Sequence, residues 1–523
     1  MKKLIYLINP KSDFPTYYGA EVLESMGYKP GVQIANLALP TIASFIPKDF
    51  EVKLCDEQVS EVDFDIEADY IGITGYISQK NRMIEISKEF RNRGKIIIMG
   101  GPFVSLSPNV MREYCDILVE GEIENIADEL FSDLTNNSFK NRYIGTKPDL
   151  TNLPLPRWDL YPNHRAAVGA IQTSKGCPYS CEFCDVIVYL GQKQRYKPIK
   201  NVIKELEQLY SLGYRIVFLS DDNFTINRMQ AKKLLNELKN WNILHKSDPV
   251  FFRTQVSTDI VKDDELLKLC AEAGLNQVFI GIESPNSNSM KEVKKFQNVK
   301  CEMEEVIKKL LKFGILPQCG MMVGFDADDK DIFNKQFELA MNSFNPYFTL
   351  TLVVAPDSTP LIKRLKKEKR ILDESEYSNR MLWESNIIHK TISKKDMKKG
   401  MQWLSSNLYA PENFANRFLN MLDILDCSFI PKGLKKNSLS NKDHIDRDIL
   451  NISMKVKNMG KSEKKMFNLI LEKIVEKNLG QDLFVTVMFF YAQLRYMYSE
   501  RNLWEPKFIG LESPWSECKG LDK

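Results

Sequence analysis

Cys177, Cys181 and Cys184 fall within eight residues as Cys-Pro-Tyr-Ser-Cys-Glu-Phe-Cys, and no other feature restricts this chain so tightly. Three thiolates at C-x3-C-x2-C spacing can reach three irons of one cubane cluster, and the loop supplies no fourth cysteine. One iron is left open to a substrate-like ligand, whereas an electron-transfer ferredoxin closes all four positions. A zinc site would need a fourth Cys or His at ligand spacing, and the closest histidine, His164, precedes the trio by 13 residues. The other seven of the 10 cysteines (Cys55, Cys115, Cys270, Cys301, Cys319, Cys427 and Cys518) are widely scattered. Most lie in apolar stretches and read as buried thiols, not as a disulfide framework.

A chain of 523 residues exceeds one core, so two to four domains are expected. In residues 1–135 short β-branched runs alternate with helical patterns: Leu4–Asn9, Val52–Cys55, Tyr70–Gly75, Lys95–Met99 and Ile117–Val119, with an amphipathic stretch at Asn81–Arg93. That alternation predicts a doubly wound parallel sheet, whose ligands bind beyond the carboxyl ends of the strands. The turns Thr74-Gly75-Tyr76, Gly100-Gly101-Pro102 and Glu120-Gly121-Glu122 fall there. Thr151 to Asp159 is proline-rich and reads as a linker. A second series follows, with strands expected at Ala167–Thr173, Ile216–Leu219, Phe251–Val256, Val278–Ile282, Leu316–Phe325 and Phe348–Ala355. Six βα units are short of the eight in a full barrel. Residues 377–500 read as mainly helical, with an apolar seam at Phe467, Ile470, Leu471, Ile474 and Val475.

The cysteine loop, with Phe183 before its last cysteine, resembles the radical S-adenosylmethionine (radical SAM) superfamily. The layout resembles the cobalamin (B12)-binding-domain subgroup with a helical C-terminal extension, which includes hopanoid C-methylases. The matching segments are Ile8-Asn9-Pro10, Leu39-Pro40, Cys55-Asp56-Glu57, Ile73-Thr74-Gly75, Gly100-Gly101-Pro102, Glu120-Gly121-Glu122, Gly176–Cys184, Arg195-Tyr196-Lys197-Pro198, Asp221-Asp222-Asn223-Phe224, Gly281-Ile282-Glu283-Ser284 and Gly320–Gly324, then Pro356 to Leu361 with Arg364-Leu365. The resemblance implies an α/β fold in three parts. These are a doubly wound Rossmann-like cobalamin-binding domain over 1–150, a partial (β/α)6 radical SAM barrel over 151–358, and a mainly helical substrate or cap domain over 359–523.

By the same resemblance Cys177, Cys181 and Cys184 ligate a 4Fe-4S cluster whose open iron holds the amino and carboxylate groups of SAM. Phe183, Asp221, Asp222, Gln255, Ser257, Glu283, Gly320 and Val323 are the expected SAM neighbours, with Asp221 or Asp222 accepting a hydrogen bond from the SAM amino group. Asn9, Pro10, Gly75, Tyr76, Gln79, Gly100, Gly101, Pro102, Glu120 and Gly121 are the expected cobalamin neighbours. All four histidines (His164, His245, His389 and His444) lie outside residues 1–163 and no D-x-H-x-x-G occurs, so no histidine of that domain can ligate cobalt. Tyr76 and Gln79 are the candidates for its lower face.

The expected function is methylation of an unactivated carbon of a lipid or natural-product substrate through a 5′-deoxyadenosyl radical and methylcobalamin. The alternatives are a radical SAM epimerase, cyclase or carbon-carbon coupling enzyme, in which Cys319 or Cys518 could donate hydrogen, and a non-catalytic cobalamin or iron-sulfur sensor. Lipid, peptide or other small molecules are the candidate substrates, and a flavodoxin or ferredoxin-type protein the electron donor. A net charge of +3 gives no electrostatic case for nucleic acid. The N-terminal apolar run is too short for a secretion signal and reads as a strand, and no apolar run reaches transmembrane length. Reduced thiols and an oxygen-sensitive cluster point to the cytoplasm. The basic stretch from Lys363 to Arg370 is either a solvated face or a contact for an acidic substrate or membrane surface.

Overall fold

A computed structural model describes residues 2–373, 383–426, 428 and 444–515. Seven strands arise from the first 150 residues: β1 (Lys3–Asn9), β2 (Val32–Ile34), β3 (Phe50–Asp56), β4 (Tyr70–Thr74), β5 (Ile96–Gly100), β6 (Ile117–Glu120) and β7 (Arg142–Ile144). All but β2 form one parallel sheet in the order β3-β1-β4-β5-β6-β7. Its central strands are near-continuous apolar runs because helices and loops cover both faces; all five residues of β4 are buried. The strand order reverses between β1 and β4. Asn9 and the turn after Thr74 therefore sit at the switch point, where an open α/β sheet leaves a crevice.

The second series supplies β8 (Ala166–Ile171), β9 (Ser174–Lys175), β10 (Arg195–Tyr196), β11 (Ile216–Leu219), β12 (Phe251–Val256), β13 (Leu275–Glu283), β14 (Leu316–Val323) and β15 (Phe348–Leu352). Strands β8 and β11 to β15 are the six expected barrel strands. They form a parallel sheet in the order β15-β14-β13-β12-β11-β8-β2, so β2 of the N-terminal segment adds a seventh strand beside β8. The preceding loop covers the opposite edge. The Tyr17 hydroxyl donates to Leu350 O (2.6 Å) and accepts from Leu350 N (2.7 Å), so the backbone groups that β15 would offer to a further strand are taken. The partial barrel is thus closed by residues 10–35, which periodicity alone assigns to the other sheet.

The proline-rich segment is packed, not a free linker. Trp158 is fully buried, Arg157 N donates to Pro40 O (2.9 Å), and the Tyr161 hydroxyl donates to Asp56 Oδ2 (2.6 Å). One apolar core runs from β1 through the barrel into the C-terminal helices Lys394–Leu408, Pro411–Ile424, Ile445–Lys455, Lys461–Glu476 and Gln481–Glu500. The predicted seam on Lys461–Glu476 is correct at Phe467, Ile470 and Ile474, which are buried. Val475 is 71% exposed because it turns off that stripe near the helix end. Among the described residues no helix is long and apolar enough to cross a membrane.

Candidate functional site

The cysteine loop leaves β9 at the carboxyl-terminal mouth of the barrel, where βα loops of such sheets carry chemistry. Its base is fixed by Asp221, the second residue after β11. Asp221 is 1% exposed and accepts from Thr173 N (2.7 Å), Ser174 N (2.9 Å), Ser174 Oγ (2.8 Å) and Thr173 Oγ1. With these four bonds made, Asp221 holds the loop and has no acceptor capacity left for a SAM amino group. Of the two expected aspartates, Asp222 alone keeps acceptor capacity. It accepts from Gly176 N (2.8 Å), and burial raises its carboxyl to about 6, with Asp221 and Asp185 adding to the rise.

Burial raises all three loop thiols, Cys184 to about 12. A metal would have to displace those protons on binding. Among the described residues no three His, Cys, Asp or Glu side chains converge on one point as a single ion requires. Yet Cys184 feels the charges of Cys181 and Cys177. Ligands of one zinc share an atom about 2.3 Å from each sulfur, whereas cubane ligands bind different irons and stand farther apart. Three thiols with no fourth ligand beside them suit a cluster with one open iron better than a single zinc.

Three residues beyond the sequence expectation surround the loop. Gln297 Nε2 donates to Cys181 Sγ (3.8 Å). Lys295 pairs with Glu283, lies 5.8 Å from the Phe183 ring centroid, and favours the Cys181 thiolate. Asn223 Nδ2 donates to Ser257 Oγ (3.0 Å), whose hydroxyl donates to Asp259 Oδ1 (2.5 Å), and Asn223 also supports the Cys177 thiolate. Ser257 and Glu283 thus stand at strand ends as expected, Glu283 with a left-handed φ of 57°. Gly320 and Val323 do not open the backbone to a ligand. A Cβ at Gly320 would meet the Phe279 ring at 2.9 Å, and Val323 is fully buried with its carbonyl bonded to Val353 N (2.9 Å).

The N-terminal sheet reaches the same mouth. Glu122, just beyond β6, is 2% exposed and binds Arg195 (2.6 Å) and Lys175 (3.1 Å), clamping β9 and β10 against that sheet. At the switch point Gln79 is buried and bonded on every side. It donates to Asn9 Oδ1 (3.0 Å) and Pro10 O, and its Oε1 accepts from Tyr76 N (2.7 Å). Asn9 in turn donates to Asp56 Oδ1 (3.0 Å). Gln79 therefore builds the turn and presents nothing to a cofactor face, contrary to its candidacy. Tyr76 does the opposite. It is 60% exposed, yet desolvation and the carboxylates of Asp185 and Asp222 raise its phenol. Asp185 follows the last loop cysteine and Asp222 is bonded to Gly176 at the loop's start, so Tyr76 stands between the switch point and the cysteine loop.

Gly101, at φ 96°, lies against Gly75: a Cβ there would come within 3.2 Å of Gly75 N. Gly101 is needed for the two turns to pack on each other, whereas a Cβ at Gly75 would meet Gln79 Oε1 at 2.8 Å and Met83 Sδ at 3.0 Å. Pro102 begins the helix Pro102–Leu106 that follows Gly100 and Gly101. Glu120 pairs with Arg142 (2.5 Å), and Gly121 (φ 76°) packs on Gly145. Both also line a cavity of about 350 Å³ with Ser105, Lys147, Val188 and Tyr189. Val188 and Tyr189 belong to the short helix after Cys184, so this cavity too joins the N-terminal sheet to the cysteine loop. Tyr76 and this cavity both lie where the N-terminal sheet meets the cysteine loop, so a cofactor held there would touch both parts.

Residues 171–336 match the Radical SAM superfamily, and residues 359–502 match a domain of unknown function, DUF4070. An uncharacterized methyltransferase of Synechocystis sp. is 37% identical over 380 residues, 71% of this chain and 69% of the relative. A hopanoid C-2 methylase of Rhodopseudomonas palustris is 30% identical over 350 residues, 65% of this chain and 66% of the relative. Among solved structures, the cobalamin-dependent S-adenosylmethionine radical enzyme OxsB with aqua-cobalamin bound gives a TM-score of 0.59 across 96% of this chain and 85% of its own, at 17% identity. That last likeness is one of fold.

Proposed function

Because the chain belongs to the radical SAM superfamily, we propose that it is a cobalamin-dependent enzyme that methylates an unactivated carbon of a small organic substrate. The observation that carries this reading is Tyr76, exposed at the switch point of one sheet and close to Asp185 and Asp222 beside the cysteine loop of the other. The relatives named as methyltransferase and hopanoid C-2 methylase support methyl transfer, and the fold shared with OxsB supports a corrinoid between the sheets. When bound, the cluster with SAM supplies a 5′-deoxyadenosyl radical, and the corrinoid a transferable methyl group.

The chain's own part is to hold and exclude. Cys177, Cys181 and Cys184 hold three irons, Asp222 accepts from the SAM ammonium, and Lys295 and Gln297 stabilise the Cys181 thiolate. Tyr76 would stand against a corrinoid held there, with no histidine of residues 1–163 to ligate it. Keeping the reacting partners in one dry site replaces collision by pre-set proximity. Residues 1–150 hold the corrinoid, apart from residues 10–35, which close the barrel; 151–358 hold cluster and SAM; 359–523 cap the substrate. A cytoplasmic flavodoxin or ferredoxin-type donor supplies the electron.

The test is anaerobic reconstitution with iron, sulfide and hydroxocobalamin, followed by metal and corrinoid analysis and assay of SAM cleavage. Stoichiometric corrinoid with 5′-deoxyadenosine formation is expected. SAM cleavage by protein that retains no corrinoid would remove methyl transfer and leave epimerisation, cyclisation or coupling.

A further inference from the structure

The barrel interior below the cysteine loop carries a charge that none of the described residues matches. Arg253 and Gln255 alternate onto the inner face of β12, while Phe252, Thr254 and Val256 are buried on the other. Strand register then builds two rows. Arg253 stands beside Gln277 in the lower row. Gln255, Phe279 and Gln318 form the row above, which Tyr347 extends, since its carbonyl accepts from Cys319 N (2.9 Å). Tyr18 enters from the loop that closes the barrel. Its neighbour Tyr17 turns outward to the β15 edge, and Tyr18 turns inward, edge-on to Phe279 at 6.4 Å between centroids.

Among the described residues Arg253 has no ion pair, and its buried Nε has no acceptor. The charged or titratable groups that it feels are the phenols of Tyr347 and Tyr18, with no carboxylate among them. Desolvation lowers its pKa to about 10, which still leaves it cationic at neutral pH. Tyr347 is 2% exposed and its hydroxyl is likewise unpartnered. Tyr18 is 42% exposed, and its phenol feels the charge of Arg253. A buried cation without a counter-charge is costly to keep, and a guanidinium fork is the side chain best shaped to take an oxyanion in two bonds.

We infer that Arg253, with the hydroxyls of Tyr347 and Tyr18, forms a subsite for a carboxylate or phosphate of the substrate. The inference rests on the reading above for the reaction and deepens it by naming a substrate class: an anion, not a neutral hydrocarbon lipid. A neutral polycyclic body in this interior would leave the guanidinium and both hydroxyls dehydrated and unpaired. The anion is also distinct from the carboxylate of SAM. Four residues separate Arg253 from Ser257 at the strand end, about 13 Å of extended chain.

The test uses the reconstituted holoenzyme and three probes: phenylacetate, phenyl phosphate and the neutral 2-phenylethanol, with affinity read by equilibrium dialysis. At least one anion should bind and 2-phenylethanol should not, and the tighter anion tells carboxylate from phosphate. Arg253→Gln should weaken that anion by about 10-fold to 100-fold, the usual range for a hydrogen bond to a charged group. Tyr347→Phe, which removes only an unpartnered hydroxyl, should weaken it several-fold and decides the matter if Arg253→Gln does not fold. Equal binding of 2-phenylethanol, no anion binding by the wild type, or unchanged affinity in both variants overturns the subsite. Wild-type protein that binds the anion but never cleaves SAM would keep the subsite and sink the proposed reaction. SAM cleavage with no anion binding would do the reverse.

Discussion

The two parallel sheets treat their polar groups in opposite ways. At the switch point of the N-terminal sheet, Asn9, Asp56, Gln79 and Tyr161 bond to one another until little capacity remains, and Tyr76 is left exposed beside the cysteine loop. In the barrel interior, half-buried Arg253 and buried Tyr347 lie near each other, and neither Arg253 Nε nor the Tyr347 hydroxyl has a partner among the described residues. A satisfied network is a frame that holds its shape alone. An unsatisfied one marks where a ligand completes the structure. Glycine-rich turns and carboxylates that look alike in sequence therefore divide into builders and binders.

Breaking the cluster should have the largest effect. Cys181→Ala should lose the bound iron and all SAM cleavage, read by iron analysis and 5′-deoxyadenosine formation. The neighbouring aspartates sharpen the contrast. Asp221→Ala leaves the amides of Thr173 and Ser174 buried and unpaired, and should cost about 4 kcal/mol in denaturant unfolding. Asp222→Asn, which loses one bond, should change stability by about 1 kcal/mol and instead weaken SAM binding. Equal losses of stability in the two would show that both are builders.

Asp326 tests the frame on its other side. Burial alone would raise its carboxyl, but Arg370 and Lys390 more than reverse this and hold it at about 2. A carboxyl depressed in the folded state adds stability above its unfolded pKa, and that stability is lost as pH falls through the folded value. Asp326→Asn should therefore cost about 2 kcal/mol at pH 7, and the difference from wild type should vanish between about pH 4 and pH 2. A difference that persists at the acid end would mean that the contribution is packing.

The smallest effect on stability is expected at Tyr76. Tyr76→Ala should change unfolding by under about 0.5 kcal/mol while lowering corrinoid retained per chain. Gln79→Ala should cost about 2 to 3 kcal/mol by orphaning Tyr76 N and Asn9 Oδ1. Reversed results would exchange the builder and the binder at the switch point.

The basic stretch resolves along the same division. Arg364 pairs with Glu182 of the cysteine loop (3.0 Å) and Arg370 with Asp326 and Glu368. Two of the six basic residues of the stretch, Arg364 and Arg370, are therefore internal fastening and are not available to an acidic surface. Cys319 is fully buried, and its sulfur accepts from Asn345 Nδ2 (3.3 Å), so it does not face a substrate as a hydrogen donor would. Cys518 lies outside the described residues.

Local chemistry made much of this protein legible in the sequence. The thiol spacing named the cluster, because three ligands within eight residues must share a site wherever the loop goes. The six barrel strands and five of the six N-terminal strands were plain from apolar runs, because a parallel strand covered on both faces must be apolar throughout. Pairing over distance was not legible. Three-residue β2 has no periodicity strong enough to declare its sheet, and Val32–Ile34 crosses to the barrel because β8 has a free edge there. Arg253 gave one faint signal, a charge inside FFRTQV, but strand parity cannot say whether an inner face is filled or empty. Sequence alone determined which groups could hold iron and which strands could form. Tertiary structure decided which polar groups find partners, because a hydrogen bond between residues hundreds of positions apart depends on how the sheets close and not on the composition of either segment.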